Sequence, residues 1–219
     1  MVLLCKVAAV RKEPLSRERV LAAAVTIADT DGLAAVTMRR IGADLGVEAM
    51  SLYHHLRGKD ALLDGVAETL VAEVLDAVGR AGGADWRARL RGRFLAAREV
   101  MLRHPWGPGL LNSRQSVPFG VYTYYDAILG TLVEGGFTYR LAHRALHAFG
   151  SMPLGFVQEV FNAQAGADDD LSAVADVLPH LTAMVAGETH EAELGWCDSR
   201  VEFEFTLDLV LDGLERLRA

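Results

Sequence analysis

Apolar positions recur at helical spacing along nearly the whole chain. Ser16 stands where an N-cap belongs. Beyond it Val20, Leu21, Ala24, Val25, Ile27 and Ala28 step by three and four and stop at Gly32, which predicts an amphipathic helix. A short amphipathic piece over residues 37–45 meets Gly46, a residue suited to a left-handed C-cap. A second short piece runs from about 48 to 56. After Arg57-Gly58-Lys59-Asp60 a long helix follows over about 60–78, with Leu62, Val66, Leu70 and Val74 on one face.

The stretch GRAGG at 79–83 breaks the pattern. Asp85 can cap a helix reaching His104, which PWGPG ends. Pro118 can begin another through Leu132, closed by Gly135-Gly136. Thr138 can cap a longer helix to about Asn162, kinked at Pro153, and a further helix is expected over 171–186. The last segment carries two patterns. Val201, Phe203, Phe205, Leu207 and Leu209 alternate like a strand, whereas Phe203, Leu207, Val210, Leu214 and Leu217 form a helical seam. Ser199 with Glu202 resembles a capping box, and a lone strand would have nothing to pair with, so helix is favoured. The expected class is all-α.

Composition changes this picture little. The chain has 219 residues, 51% hydrophobic and 23% charged, as in ordinary globular proteins. Charge distribution says more than the net value of -7. Residues 1–60 hold 9 Lys or Arg against 7 Asp or Glu, and the remainder holds 13 against 22, so the basic surplus sits at one end. Cys5 and Cys197 cannot form a disulfide framework, and no C-x-x-C pair is present to hold zinc. The start, MVLLCKVAAV, is interrupted by Lys6 and too short for a signal peptide, and no run approaches a membrane span. A cytoplasmic protein without membrane contact is the expectation.

The most informative block is 36–59. Two short helices joined at Gly46-Val47, with Ile41, Leu45, Val47 and Leu52 apolar, have the form of a helix-turn-helix. The second is too short and polar to exist for core burial alone. It places Glu48, Ala49, Ser51, His54 and His55 around the single anchor Leu52. Such a helix offers its N-terminal residues to base edges in the major groove. Thr37, Arg39, Arg40, Tyr53 and Lys59 can meet phosphates, which set position and salt dependence but carry no sequence code.

Residues 37–65, TMRRIGADLGVEAMSLYHHLRGKDALLDG, resemble the DNA-binding domain of the TetR family of bacterial repressors, and the likeness extends over about 16–78. The spacing G-V-x-x-x-x-L-Y-x-H, then K and A-L-L-D, is similar to its tetracycline-responsive subgroup. The resemblance implies that Thr37, Met38, Arg39, Ala49, Met50 and Ser51 face double-stranded operator DNA. It implies that Tyr53, His54, His55 and Lys59 touch bases, sugars or phosphates. Ala49 and Met50 stand where that subgroup has glutamine and proline, which implies a different operator.

The domain organisation expected is an arm over 1–14, a three-helix DNA-binding domain over 15–60, and a helical ligand-binding and dimerisation domain over 61–219 entered through the helix 60–78. The resemblance implies a small-molecule effector of unspecified identity and a homodimer. Candidate pocket residues are Phe94, Met101, Trp106, Tyr122, Tyr125, His147, Met152, Phe156 and Glu159, with Phe137 and His104 nearby in sequence. At helical spacing such residues are more often core than ligand box. By resemblance Glu159 stands where the subgroup reaches a bound metal's water shell. No histidine occurs near Leu111 and Asn112, where its direct metal ligand would lie. His143 and His147 have metal-ligand spacing but lack the H-E-x-x-H glutamate, and a satisfied core or pocket role is favoured over a metal one. No metal and no cofactor are expected.

Phe203, Leu207, Val210, Leu214 and Leu217 are the candidate dimerisation seam, the rival being that they line a monomer's interior. Enzyme motifs such as G-x-S-x-G and the phosphate loop are absent. The expected function is a ligand-responsive repressor. The alternative is a constitutive or activating DNA-binding regulator whose C-terminal part only dimerises.

Overall fold

The computed structural model describes residues 14–149, 176–186 and 199–218. Among these residues every regular element is helical, so the fold is all-α. The chain forms two compact units that divide between Thr69 and Leu70.

In the first unit α1 (Arg17–Asp31) starts because Ser16, in extended backbone, accepts the Arg19 N–H at 3.2 Å through its hydroxyl. Its buried face is Val20, Leu21, Ala24, Ile27 and Ala28, and Gly32 closes it at φ +82°. A 3-10 turn (Leu33–Ala35), which the apolar spacing does not signal, leads into α2 (Met38–Leu45), α3 (Ala49–Leu52) and α4 (Lys59–Gly79). The division falls inside α4 rather than at its start, because the first half of α4 packs on α1. A Cβ at Gly65 would stand 2.7 Å from the Leu21 side chain, and Arg17 pairs with Glu68 at 2.8 Å.

The second unit contains the rest of α4, then α5 (Trp86–Arg103), α6 (Gly107–Ser113), α7 (Phe119–Glu134) and α8 (Tyr139–Phe149), with α9 (Pro179–Ala186) and α10 (Ser199–Arg218). Asp85 caps α5 by accepting the Ala88 N–H at 2.8 Å, and Thr138 caps α8 through the Leu141 N–H. Helix α6 corrects the expected plain break at 105–109. Its first turn tolerates Pro108, whose missing N–H would have had no helical partner there. The last element is helix, and the apolar residues of its strand-like alternation fall on both faces, Phe203 and Leu207 inward and Val201, Phe205 and Leu209 outward. Pro153, the remainder of the helix expected to reach Asn162 and the loop holding His190 lie outside the described residues, as does the side chain of Ser199.

The core of this unit joins Leu70 and Val74 to Leu90, Phe94, Ile128, Leu132, Phe149, Phe203, Leu207 and Leu211. Trp86 meets Phe137 edge-on at 4.7 Å, and Gly135 lets α7 end against the Trp86 ring. At one side of this core Arg91 pairs with Glu204 at 2.6 Å and Asp208 at 3.2 Å, while Arg87 pairs with Asp212 at 2.6 Å.

Glu73 ties α4 to the end of α5. One carboxylate oxygen meets Arg103 at 2.6 Å, and the other meets the buried His104 ring at 3.0 Å. Burial disfavours the charge on Glu73, but the hydrogen bonds from Arg103 and His104 outweigh it and hold the carboxyl below its ordinary value. A depressed carboxyl pKa contributes stability that is present above the ordinary range, near about 4.3, and lost as pH falls through the folded value. Glu73→Gln should therefore be less stable than the parent at neutral pH, with the gap narrowing at a pH below the ordinary carboxylate range. Urea denaturation at both pH values checks this; an unchanged gap would remove the electrostatic explanation.

Candidate nucleic-acid interface

The turn between α2 and α3 is built from backbone demands. Thr37 caps α2, its hydroxyl oxygen accepting the Arg40 N–H at 3.1 Å. At the other end Gly46 takes φ +63° and ψ +43°, and the Val47 N–H donates to the Gly42 carbonyl at 2.9 Å. This is the bonding of a Schellman C-cap, which a residue with a side chain would enter only with strain. Gly42 has a second reason to lack a side chain. A Cβ there would stand 2.9 Å from the Val47 carbonyl oxygen and 3.2 Å from the Ala49 nitrogen. The two helices therefore approach backbone to backbone.

Helix α3 is shorter than the apolar pattern predicts. It covers Ala49–Leu52 and passes into turns through residue 56, with Leu52 accepting from the His55 and Leu56 N–H groups at 2.9 Å each. Leu52 and Leu56 are buried, and the chain then reverses at Gly58 with φ +99° before α4 begins. These buried leucines and the close approach at Gly42 hold so short a segment.

The expected DNA-facing residues divide clearly. Thr37, Arg39, Met50, Tyr53, His54 and Lys59 are exposed, and Ala49, Ser51 and His55 are half-buried. Met50 is 74% exposed, far more than an apolar side chain with only a packing role would be. Met38 is a correction: only 9% of it is accessible, and it belongs to the core with Val36 and Ile41. Position 38 lies one turn before Ile41 on the inward face of α2. Arg40, credited with free charge, is held by Asp31 at 2.9 Å and Asp44 at 3.3 Å. Arg39 and Lys59 form no ion pair among the described residues, and the Thr37 hydroxyl keeps its hydrogen free to donate. Gly42 escaped the sequence reading, although a glycine in the middle of a short helix signals close backbone approach.

In the second unit the candidate pocket residues do not form one group. Phe94 is fully buried, stacked on Phe149 at 4.6 Å between centroids and edge-on to Tyr124 at 6.5 Å. Met101 lies in the same core, with half-buried Trp106 and Tyr125 packed against it. Tyr122 is exposed beside Phe119. His147 is also exposed, its Nε2 3.1 Å from that of His143, so this pair is not part of the core. Met152, Phe156 and Glu159 lie outside the described residues. Among the described residues no cluster of three or more His, Cys, Asp or Glu could hold a metal. Tyr124 was missed among three nearby tyrosines, yet it shares the inward register of Ile128, Thr131 and Leu132.

The seam expected for a dimer is also corrected. Phe203, Leu207 and Leu214 are buried in this unit's own core with Leu211, while Val210 is half-buried and only Leu217 of that set is exposed. An α-helix advances 3.6 residues per turn, so the inward line passes through 211 rather than 210. The outward line carries Val201, Phe205, Leu209 and Leu217.

Gly42→Ala forces a methyl group into the α2–α3 contact. It should destabilise the chain by about 1–3 kcal/mol, the usual range for overpacking, where glycine-to-alanine in an open helix would stabilise. Thermal melting of the variant checks the sign. A gain in stability would mean the approach is loose.

Comparison with known proteins agrees with this architecture. Residues 20–66 match the family model for bacterial regulatory proteins of the tetR family. Residues 79–218 match that for the tetracyclin repressor-like C-terminal domain. The Escherichia coli tetracycline repressor protein class C is 30% identical over 209 residues, 93% of this chain and 92% of its own length. A TetR family regulator structure from Streptomyces coelicolor A3(2) gives a TM-score of 0.72 at 30% identity, covering 92% of this chain and 100% of its own. The Streptomyces coelicolor protein ActR, solved with (S)-DNPA, gives 0.71 at 23% identity over 94% of this chain and 100% of its own, a likeness of fold. With both halves of the family pattern matched in order along the chain, the protein belongs to the TetR family of bacterial transcriptional regulators.

Proposed function

We propose that the protein is a ligand-responsive transcriptional repressor that binds a palindromic operator as a homodimer in the cytoplasm. Regulation rather than catalysis is its activity. The observation that carries this reading is the short α3, anchored by Leu52 and presenting Met50, Tyr53 and His54 outward, together with exposed Arg39 and Lys59, which form no ion pair among the described residues. Ala49, Met50 and Ser51 at the start of α3 supply base contacts, with Tyr53, His54 and His55 at its end. Thr37, Arg39 and Lys59 hold phosphates. Met38 contributes through packing. No described helix is long and apolar enough to cross a membrane.

A palindrome read by two copies needs recognition helices about 34–36 Å apart. An effector that binds better to another spacing weakens operator binding by the difference in its affinities, commonly ~1–3 kcal/mol. ActR holds a small molecule in its solved structure, which supports an effector role for the second unit here. The outward face of α10, with Val201, Phe205 and Leu209 at four-residue steps, is the surface proposed to meet a second copy.

Two expectations test these assignments. In gel shifts, Lys59→Ala should weaken binding to all sequences and lower the salt slope by about 1, while Ser51→Ala should alter which base pairs are preferred. Unchanged operator binding by both would contradict the docking. Phe205→Glu should convert the dimer to a monomer in sedimentation velocity and reduce operator affinity with it; a dimer that persists would place the interface elsewhere.

A further inference from the structure

His143 and His147 on α8 belong neither to the core nor to the DNA-reading face. Both are exposed, and their spacing of four residues sets them one turn apart on the same side of the helix. Their Nε2 atoms are 3.1 Å apart, whereas the ring centroids are 4.7 Å apart, so each ring turns this nitrogen toward the other. Neither ring has a further polar partner among the described residues.

Two neutral imidazoles facing each other in this way can be satisfied by two arrangements. One ring donates an N–H to the other's lone pair, or both lone pairs bind one metal ion. The hydrogen bond adds little on an exposed helix, where water offers each nitrogen an equal partner. The ion fits the spacing. With metal–nitrogen bonds of about 2.0–2.1 Å, two ligand nitrogens stand about 2.9 Å apart at a right angle and about 3.3 Å apart at a tetrahedral one. The observed 3.1 Å lies between these values, so small ring movements suffice to admit an ion. The donor set then selects which ion. Both ligands are nitrogen, and the neighbouring charged residues of α8 are the exposed Arg140 and Arg144 rather than carboxylates. Mg²⁺ and Ca²⁺ require oxygen ligands, whereas imidazole suits Ni²⁺, Cu²⁺ and Zn²⁺. Arg144 also stands where an H-E-x-x-H motif has its glutamate base, so the pair has the means to bind an ion but not to activate its water.

We propose that His143 and His147 form a surface site for one late first-row divalent metal ion, which bridges successive turns of α8 and keeps its remaining coordination positions for water. The two-nitrogen geometry exists only while α8 is folded, so a bound ion stabilises the second unit. The site stands apart from the repressor reading, since it requires neither operator nor effector. It replaces the core or pocket role that the sequence favours for this pair.

Calorimetric titration of the full chain with Ni²⁺, and with Mg²⁺ as the hard-ion control, tests the site. His143→Gln and His147→Gln should each weaken Ni²⁺ binding by at least about tenfold, because either change leaves a single ligand where two acted together. The double variant should bind little more weakly than either single one, the non-additive result expected when both rings hold one ion. His180→Gln, which removes a lone exposed histidine on α9, should bind Ni²⁺ like the parent. Melting curves without metal establish that the variants fold. With Ni²⁺ the parent should melt higher and the His143 and His147 variants should not. The proposal is overturned if the parent does not bind Ni²⁺, if either single variant keeps the parent's affinity, or if Mg²⁺ binds as tightly as Ni²⁺.

Discussion

Whatever the first unit does with DNA depends on the approach of α3 to α2 at Gly42. A four-residue helix cannot hold itself together, because helices shorter than roughly 12–15 residues are marginal in water. Its conformation is imposed from outside. Val47 donates to the Gly42 carbonyl, the Gly42 α-carbon lies under the Val47 oxygen and Ala49 nitrogen, and Leu52 is sealed in the core. The consequence is orientation. With backbone against backbone, α3 has little room to tilt, and Met50, Tyr53 and His54 are presented in a fixed pose. Preorganisation of this kind spares the ordering entropy that a flexible reader would lose on binding.

The second unit solves a different problem with α10. One line of that helix, Phe203, Leu207, Leu211 and Leu214, completes the unit's core. Its acidic residues Glu204, Asp208 and Asp212 pair with Arg91 and Arg87 of α5. These partly exposed pairs fix register more than they add stability. What remains outward is Val201, Phe205, Leu209 and Leu217. An apolar line that a core does not use is the usual mark of a surface that meets another molecule. The same helix can therefore serve folding on one side and association on the other.

Legibility in the sequence followed how local each signal was. The caps at Ser16, Asp85 and Thr138 and the glycine turn at Gly46 were readable, because each depends on hydrogen bonds within a few residues. The all-α class and the placement of the DNA-reading block were readable for the same reason. Register was harder. Met38 and Tyr124 face inward and Tyr122 and His147 outward, and three tyrosines within four positions give periodicity little to choose among. The end of α3 was misjudged because its tail continues in turns that share helical spacing. The α10 seam was found as a helical stripe but assigned to a dimer, whereas Phe203, Leu207 and Leu214 with Leu211 line this unit's own core, as the rival reading had it. Helix α6 was hidden by Pro108, a residue that breaks a helix interior yet suits its first turn.

The measurement that bears most directly on the account is footprinting of the purified protein on the DNA flanking its own coding region, at two salt concentrations. The account predicts protection of two symmetric half-sites centred about one helical turn apart, roughly 34–36 Å, with affinity that falls with salt but retains its sequence preference. Protection without sequence preference that vanishes at moderate salt would contradict it. In that case the exposed face of α3 would be an electrostatic contact rather than a reader of bases.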